Sequence, residues 1–302
     1  MRGVSLTDDI RAACAAVAGR ARHVRIREQA IEAYATGLPA ASPPAPDLEP
    51  GAPDERRAAF QITLNAINFG SGWFPTLRKR PGMSGFRTVE AGLRARGPWT
   101  AEELAAIGAD EVAAALGQDP EHELMGLFET ALRELGIRLR DEHGGSFLAL
   151  ARSHATAEGL ATELAGWPTW RDISPYRNLE VPFFKRAQIA AADLALAGLA
   201  PGGDLHRLTL FADNLVPHVL RLDGVLELDG ALVARIDAEQ LIEHDSPEEV
   251  EIRACALHAV ELIVAAHPEP TTATAVDNHL WHRGAGARYK ARPRHRARTT
   301  AY

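Results

Sequence analysis

Ser246-Pro247-Glu248-Glu249-Val250-Glu251-Ile252-Arg253-Ala254-Cys255-Ala256-Leu257-His258-Ala259-Val260-Glu261-Leu262-Ile263 is the stretch on which the fold class turns. A serine hydroxyl can take up a free helical amide, a proline suits the first helical position, and two acids face the positive end of the peptide dipoles. Beyond that start, Ile252, Cys255, Ala256, Ala259, Val260 and Ile263 recur at helical spacing until Pro268 closes the run. A long helix is expected here.

The same signals spread outward. Asp119-Pro120 reads as another helix start, followed by Leu124, Leu127, Phe128, Ala131, Leu132 and Leu135, with Gly136 as its stop. Thr100-Ala101-Glu102-Glu103 and Asp237-Ala238-Glu239-Gln240 have the form of capping boxes. Further helices are expected near residues 5–20, 54–69, 156–165, 182–198 and 272–282. Strand signals are few: Phe86 to Val89, Ile137 to Leu139 and Phe147 to Leu150. The expectation is a mainly α protein with a small β element. Pro39 to Pro53 holds six prolines and reads as an extended surface loop, too near the start to separate two full domains. Residues 1–302 are therefore read as a single domain, without internal repeat or heptad run.

Composition narrows the function. With 302 residues, 46% hydrophobic and 24% charged, the chain can bury a substantial core. No apolar stretch approaches the ~20 residues that span a bilayer. The amino terminus reaches Asp8 and Asp9 before any apolar signal core, so no secretion signal is read. Cys14 and Cys255, the only cysteines, lie far apart in alanine-rich helical patterns; they suit a reduced cytoplasm and exclude a thiolate zinc site. Net charge is −7, yet Arg283 to Arg298 alone carries +7, leaving −14 on the first 282 residues. An acidic body argues against a stable nucleic-acid partner, whereas the basic tail at 283–302 suits one small anion.

Several short runs carry candidate chemistry. In Val276-Asp277-Asn278-His279-Leu280-Trp281 an aspartate sits among apolar neighbours, where it needs a partner or a task. A carboxylate so placed can stabilise a sugar cation as a glycosidic bond breaks; the plainer reading is a helix cap or a pair with a tail arginine. Phe211-Ala212-Asp213 offers a ring to stack on a nucleobase and an acid to accept its N–H groups, or a core phenylalanine beside a helix cap. Phe183-Phe184-Lys185-Arg186 places a cation at a helix start, fit for a phosphate or for snorkelling to solvent. Asn68-Phe69-Gly70-Ser71-Gly72-Trp73 breaks a helix in a glycine-rich aromatic loop that lets backbone approach a ligand, or stops the helix over buried rings. Arg294-His295-Arg296-Ala297-Arg298 can grip phosphate or fray as a solvated end. Two metal readings fail: His244-Asp245 precedes a helix entry without a second histidine pair, and Asp277, His279 and His282 do not share one helix face.

Val-Asp-x-His-Leu at 276–280 resembles the run that carries the catalytic aspartate of helix-hairpin-helix DNA glycosylases. More of the chain resembles the queuosine-salvage family, the queuosine 5′-phosphate N-glycosylases. That likeness rests on Asn68-Phe69, Lys185-Arg186-Ala187-Gln188, Phe211-Ala212-Asp213 with Pro217, Glu251-Ile252-Arg253-Ala254, Asp277 with Leu280-Trp281, and His295-Arg296 with Tyr302. It implies a single helical domain related to the DNA-glycosylase fold. It also implies cofactor-free, metal-independent hydrolysis of queuosine 5′-phosphate to queuine and ribose 5-phosphate. Asp277 would then be nucleophile or cation stabiliser. Phe211 and Asp213, with Asn68, Phe69 and Asn278, would hold the base, and Lys185 and Arg296 the phosphate. Asn214-Leu215, His218 and Asn278-His279 depart from residues common in the family. The competing readings are a DNA or RNA base glycosylase and a non-catalytic queuosine-binding module.

Overall fold

The computed structural model describes residues 5–41 and 51–302, so residues 1–4 of the amino terminus and most of the proline-rich run at 39–53 lie outside the described residues. Along the chain come α1 (Leu6–Ala18), β1 (Val24–Ile26), α2 (Glu28–Thr36), α3 (Asp54–Ala66), α4 (Gly85–Arg96), α5 (Ala101–Ala106) and α6 (Ala109–Leu116). Next are α7 (Glu123–His143), α8 (Phe147–Ala151), α9 (Ala157–Ala165), β2 (Ile173–Tyr176), β3 (Leu179–Pro182) and α10 (Lys185–Leu196). The remainder holds α11 (Leu215–Leu222), β4 (Leu226–Leu228), α12 (Gly230–Asp237), α13 (Pro247–Ala266), α14 (Ala273–Arg283) and α15 (Ala287–Lys290). The protein is mainly α with two small antiparallel sheets. Two compact units form: Met1–Pro44 with Asp172–Gln188 and Asp204–Arg298, and Ala45–Arg171 with Ile189–Gly203 and Thr299–Tyr302.

The first unit is built on α13, which starts as its sequence dictates: Ser246 Oγ accepts the Glu249 amide and Pro247 takes the first helical position. Every residue from Glu249 to Leu257 is buried, because α1, α2, α11, α14 and β1 surround the helix. Three of those residues are charged, and charge inside a helix core needs partners. Glu251 finds them at β1: its Oε2 accepts the amides of Arg22, His23 and Val24 at 2.9, 2.6 and 3.2 Å. Its Oε1 accepts the Tyr176 hydroxyl at 2.7 Å, so one carboxylate ties β1 and β2 to α13. β1 pairs with β4, Val24 opposite Leu228 and Ile26 opposite Leu226. β2 and β3 form a hairpin with Tyr176 opposite Leu179. The tail is packed rather than frayed: Tyr34, Tyr289 and Arg283 all donate to Asp223, at 2.7, 2.8 and 3.0 Å, and His295 and Ala297 are buried.

In the second unit α7 is the centre, with Leu124, Met125, Phe128, Leu132, Leu135 and Leu139 turned inward against α3, α5, α6 and α8. Its bounds differ from the sequence expectation. Asp119 and Pro120 form a turn in which Asp119 accepts the Glu121 amide at 3.1 Å, and the helix begins at Glu123 with the His122 ring accepting the Leu124 amide at 3.2 Å. Gly136 does not stop it. The helix runs on to His143 and closes at Gly144, which has φ 60°. Gly136 is instead the point where α5 approaches: a Cβ there would lie 2.7 Å from the Ala101 carbonyl oxygen and clash with the Ala105 amide nitrogen.

The three expected strands are helical: Phe86 to Val89 lies in α4, Ile137 to Leu139 in α7 and Phe147 to Leu150 in α8. Short apolar runs fit either element, and here capping decides. Ser146 Oγ takes the Ala149 amide, and the Glu55 carboxylate takes those of Phe147 and Leu148. Asp237 ends α12 rather than opening a helix, and Glu239 beyond it is left-handed at φ 55°. The capping box at Thr100 and Glu103 is formed as expected.

Candidate active site

Thr272 caps α14 by accepting the Ala275 amide, and the first turn of the helix is buried all round, from Ala273 to Asp277, with Leu280 beyond it. Asp277 thus lies inside the first unit, only 6% exposed. Its Oδ1 accepts the backbone amide of Phe211 at 3.3 Å, which fixes the carboxylate against the run that carries Phe211 and Asp213. Phe211 is itself buried. Asp213 Oδ1 accepts the amides of Leu215 and Val216 at 2.7 and 3.2 Å, so it caps α11, the plainer of its two sequence readings. Its negative charge also acts on two cations nearby, Lys185 and Arg294.

Lys185 begins α10 and is buried. Burial is the largest influence on its ammonium and brings the pKa down from 10.5 to about 8; Asp213, Asp277 and Asp172 oppose that fall, and Arg186 adds to it. The residue is therefore a cation facing three acids and not a snorkelling surface lysine. The turn before it is unusual. Phe184 sits at φ 48°, a left-handed conformation that costs a non-glycine residue about 1 kcal/mol. Asp172 holds that turn: its carbonyl accepts the Phe183 amide at 2.9 Å and its Oδ2 the Lys185 amide at 3.0 Å.

Arg253 completes the arrangement from α13. Its Nη1 and Nη2 donate to the two carboxylate oxygens of Asp172 at 2.9 and 2.8 Å, and its Nε donates to the Ala212 carbonyl at 3.0 Å. The guanidinium carbon stands 3.9 Å from the centre of the Phe183 ring, and Glu249 lies 3.8 Å from Nη1. Arg294, behind Asp213, is held below the usual arginine range by burial. His295 is buried and pushed down to about 3 by desolvation.

Asp277, Phe211, Asp213 and Lys185 are thus brought together within one unit. Asn278 follows Asp277 on α14, where its carbonyl accepts from the His282 ring at 2.7 Å. Arg296 turns to Glu239, 3.4 Å away at the surface. Asn68 and Phe69 belong to the second unit: the Asn68 side-chain amide donates to Asn65 Oδ1 at 3.2 Å, and Phe69 stacks edge-on against Phe128. Sequence reading passed over Asp172, and it named Arg253 and Arg294 only within longer runs, without a role of their own in the site.

Two clusters among the described residues bring three possible metal ligands within 4.8 Å: Glu142, His143 and Glu163, and His244, Asp245 and Glu249. In the latter the two ring nitrogens of His244 face Asp245 and Glu249 at 3.4 Å each, and its pKa is raised by those acids against the effect of burial. His279 donates from Nε2 to the Ala41 carbonyl at 2.6 Å and His282 turns to Asn278, so neither is directed at Asp277. No helix among the described residues is long and apolar enough to cross a membrane.

Residues 48–302 match the family model described as queuosine salvage protein. The queuosine 5′-phosphate N-glycosylase/hydrolase of Sphaerobacter thermophilus is 37% identical over 226 residues, which are 72% of this chain and 69% of that protein. Proteins of the same name from Bos taurus and Schizosaccharomyces pombe are 32% and 34% identical. Those matches span 50% and 45% of the bovine and yeast proteins. With a family match that runs unbroken from before α3 to the last residue, the chain belongs to the queuosine salvage protein family.

Proposed function

We propose that the protein hydrolyses the N-glycosidic bond of queuosine 5′-phosphate, releasing queuine and ribose 5-phosphate for reuse in tRNA modification. The base of this nucleotide is a 7-deazapurine. It has no N7 to protonate, so the usual means of activating a purine leaving group is missing. Catalysis must then rest on a carboxylate that stabilises the developing sugar cation and on hydrogen bonds to the departing base. Asp277 is the carboxylate, Phe211 stacks on the base and Asp213 accepts its N–H groups. Asn278, beside Asp277, is a further candidate for the base. Lys185 and Arg296 hold the phosphate; Arg296 would have to leave Glu239 to do so, and Arg294, whose charge interacts with Asp213, is a further candidate. No step calls for a metal or cofactor. The buried thiols Cys14 and Cys255 suit a cytoplasmic enzyme.

The single observation that supports the reading most is the carboxylate of Asp277, buried and fastened to the amide of Phe211. A base glycosylase acting on DNA or RNA would need a basic face. Here Arg283 faces Asp223 and Arg296 faces Glu239, so much of the tail's charge is engaged within its own unit. The test is incubation with queuosine 5′-phosphate and chromatography for free queuine. Asp277→Asn is expected to keep the ligand and lose about 100- to 1,000-fold in turnover. Release of base from nucleic acid but not from the free nucleotide would overturn the proposal. So would an Asp277→Asn protein as active as the wild type; wild-type binding without turnover would instead mark a binding module.

A further inference from the structure

We propose that Arg253 is a positioning residue for base release: one buried guanidinium holds both the run that bears Phe211 and Asp213 and the turn that presents Lys185. The inference rests on the reaction proposed above but concerns a residue that touches neither the sugar nor the base.

Arg253 is fully buried, and its donors are directed at two parts of the site. Nε reaches the carbonyl of Ala212, the residue between Phe211 and Asp213. The other two nitrogens grip Asp172 in a fork, and Asp172 in turn holds the amides of Phe183 and Lys185 around the strained Phe184. The Phe183 ring lies under the guanidinium and keeps the fork in plane. A residue in a left-handed backbone conformation persists only where its surroundings over-determine it, and Asp172 does so from both sides of Phe184. A lysine would keep the charge at position 253 but not a planar set of donors able to serve Ala212 and both oxygens of Asp172 together. Glu249 lies close behind the guanidinium and is itself faced by His244.

The test uses the full-length protein with Arg253→Lys, Asp172→Asn and their combination. Each single variant is expected to lose about 100-fold in turnover of queuosine 5′-phosphate, the scale of a misplacement near 1 Å. The double variant is expected to lose no more than the worse single one, since both break the same frame. Tyr34→Phe, which removes a hydroxyl donated to Asp223, serves as a destabilised control and is expected to keep its turnover at matched melting temperature. A second readout does not depend on the reaction: the NMR titration of the Lys185 side chain is expected to move in Arg253→Lys. Turnover losses that follow melting temperature alone, control included, would overturn the positioning role, as would a Lys185 titration identical in wild type and Arg253→Lys. A wild type that releases no queuine would overturn the proposed reaction, and the Lys185 titration would then decide Arg253 by itself.

Discussion

Lys185 stands where two effects oppose its charge. Burial strips its water, and it begins a helix whose first turn is already positive. Asp213, Asp277 and Asp172 return only part of what is lost, which leaves a pKa of about 8 against 10.5 in the unfolded chain. Between those values the unfolded state holds the proton and the folded state does not, so folding gains stability as pH rises through that window. Phosphate binding follows the opposite course, because the ligand prefers the ammonium. We therefore expect the dissociation constant for queuosine 5′-phosphate to rise about tenfold per pH unit above the Lys185 pKa. Calorimetric titration from pH 7 to 9.5 measures it. In Lys185→Met the dependence should vanish; a slope unchanged by that substitution would remove Lys185 from the phosphate site. Lys185 could be singled out in the sequence because its aromatic neighbours and the helix start lie next to it. Asp172 could not, since its partner Arg253 is 81 residues away and no local pattern announces a pairing at that distance.

Among the elements, a chemical start signal made a helix legible where a long enough pattern followed it. α1, α5, α9, α13 and α14 each begin at a serine or threonine whose hydroxyl accepts a backbone amide. α4 and α8 begin in the same way at Ser84 and Ser146, yet their short apolar runs read as strands. The strands were not legible. At three or four residues, Val24–Ile26, Ile173–Tyr176, Leu179–Pro182 and Leu226–Leu228 are too short to show alternation, and β1 is fixed by Glu251 from another element. Gly136 is the most instructive error, because the same residue type can end a helix or admit a neighbour. Its role sets a prediction in which two effects compete. Gly136→Ala raises helix propensity by about 1 kcal/mol in an exposed helix. Here the added carbon meets the backbone of α5 at Ala101 and Ala105, which cannot rotate away as a side chain could. Overpacking of this kind costs about 1–3 kcal/mol, so the substitution should destabilise the protein on balance. Urea unfolding measures the difference, and a more stable Gly136→Ala protein would show that α5 is free to move off α7.

For the molecule as a whole, the charge map read from the sequence placed −14 on the body and +7 on the tail, and the fold uses the contrast internally. Arg283 joins Tyr34 and Tyr289 at Asp223, and Arg296 meets Glu239, so the tail packs against its own acidic body. Packing the tail has a consequence for acid stability. His295 is buried with Glu249, His218, Arg294 and Arg253 as its titratable neighbours, and desolvation brings its pKa to about 3. His218, on α11, is lowered to about 4 by burial; the Tyr289 carbonyl at its Nε2 opposes that shift, as does Asp237, while Arg221 and Arg294 reinforce it. Both rings are neutral in the folded protein at pH values where an unfolded histidine, with its pKa near 6.5, already carries a proton. Unfolding therefore takes up protons between pH 6.5 and 4, and stability falls as pH falls through that window. His218→Gln removes one of the two titrations while keeping a donor for Tyr289. The urea midpoint of this variant should fall less steeply from pH 6.5 to 4, by about one proton taken up on unfolding. Equal slopes in the two proteins would mean that His218 is already protonated in the folded state, and that the tail does not bury it as the structure has it.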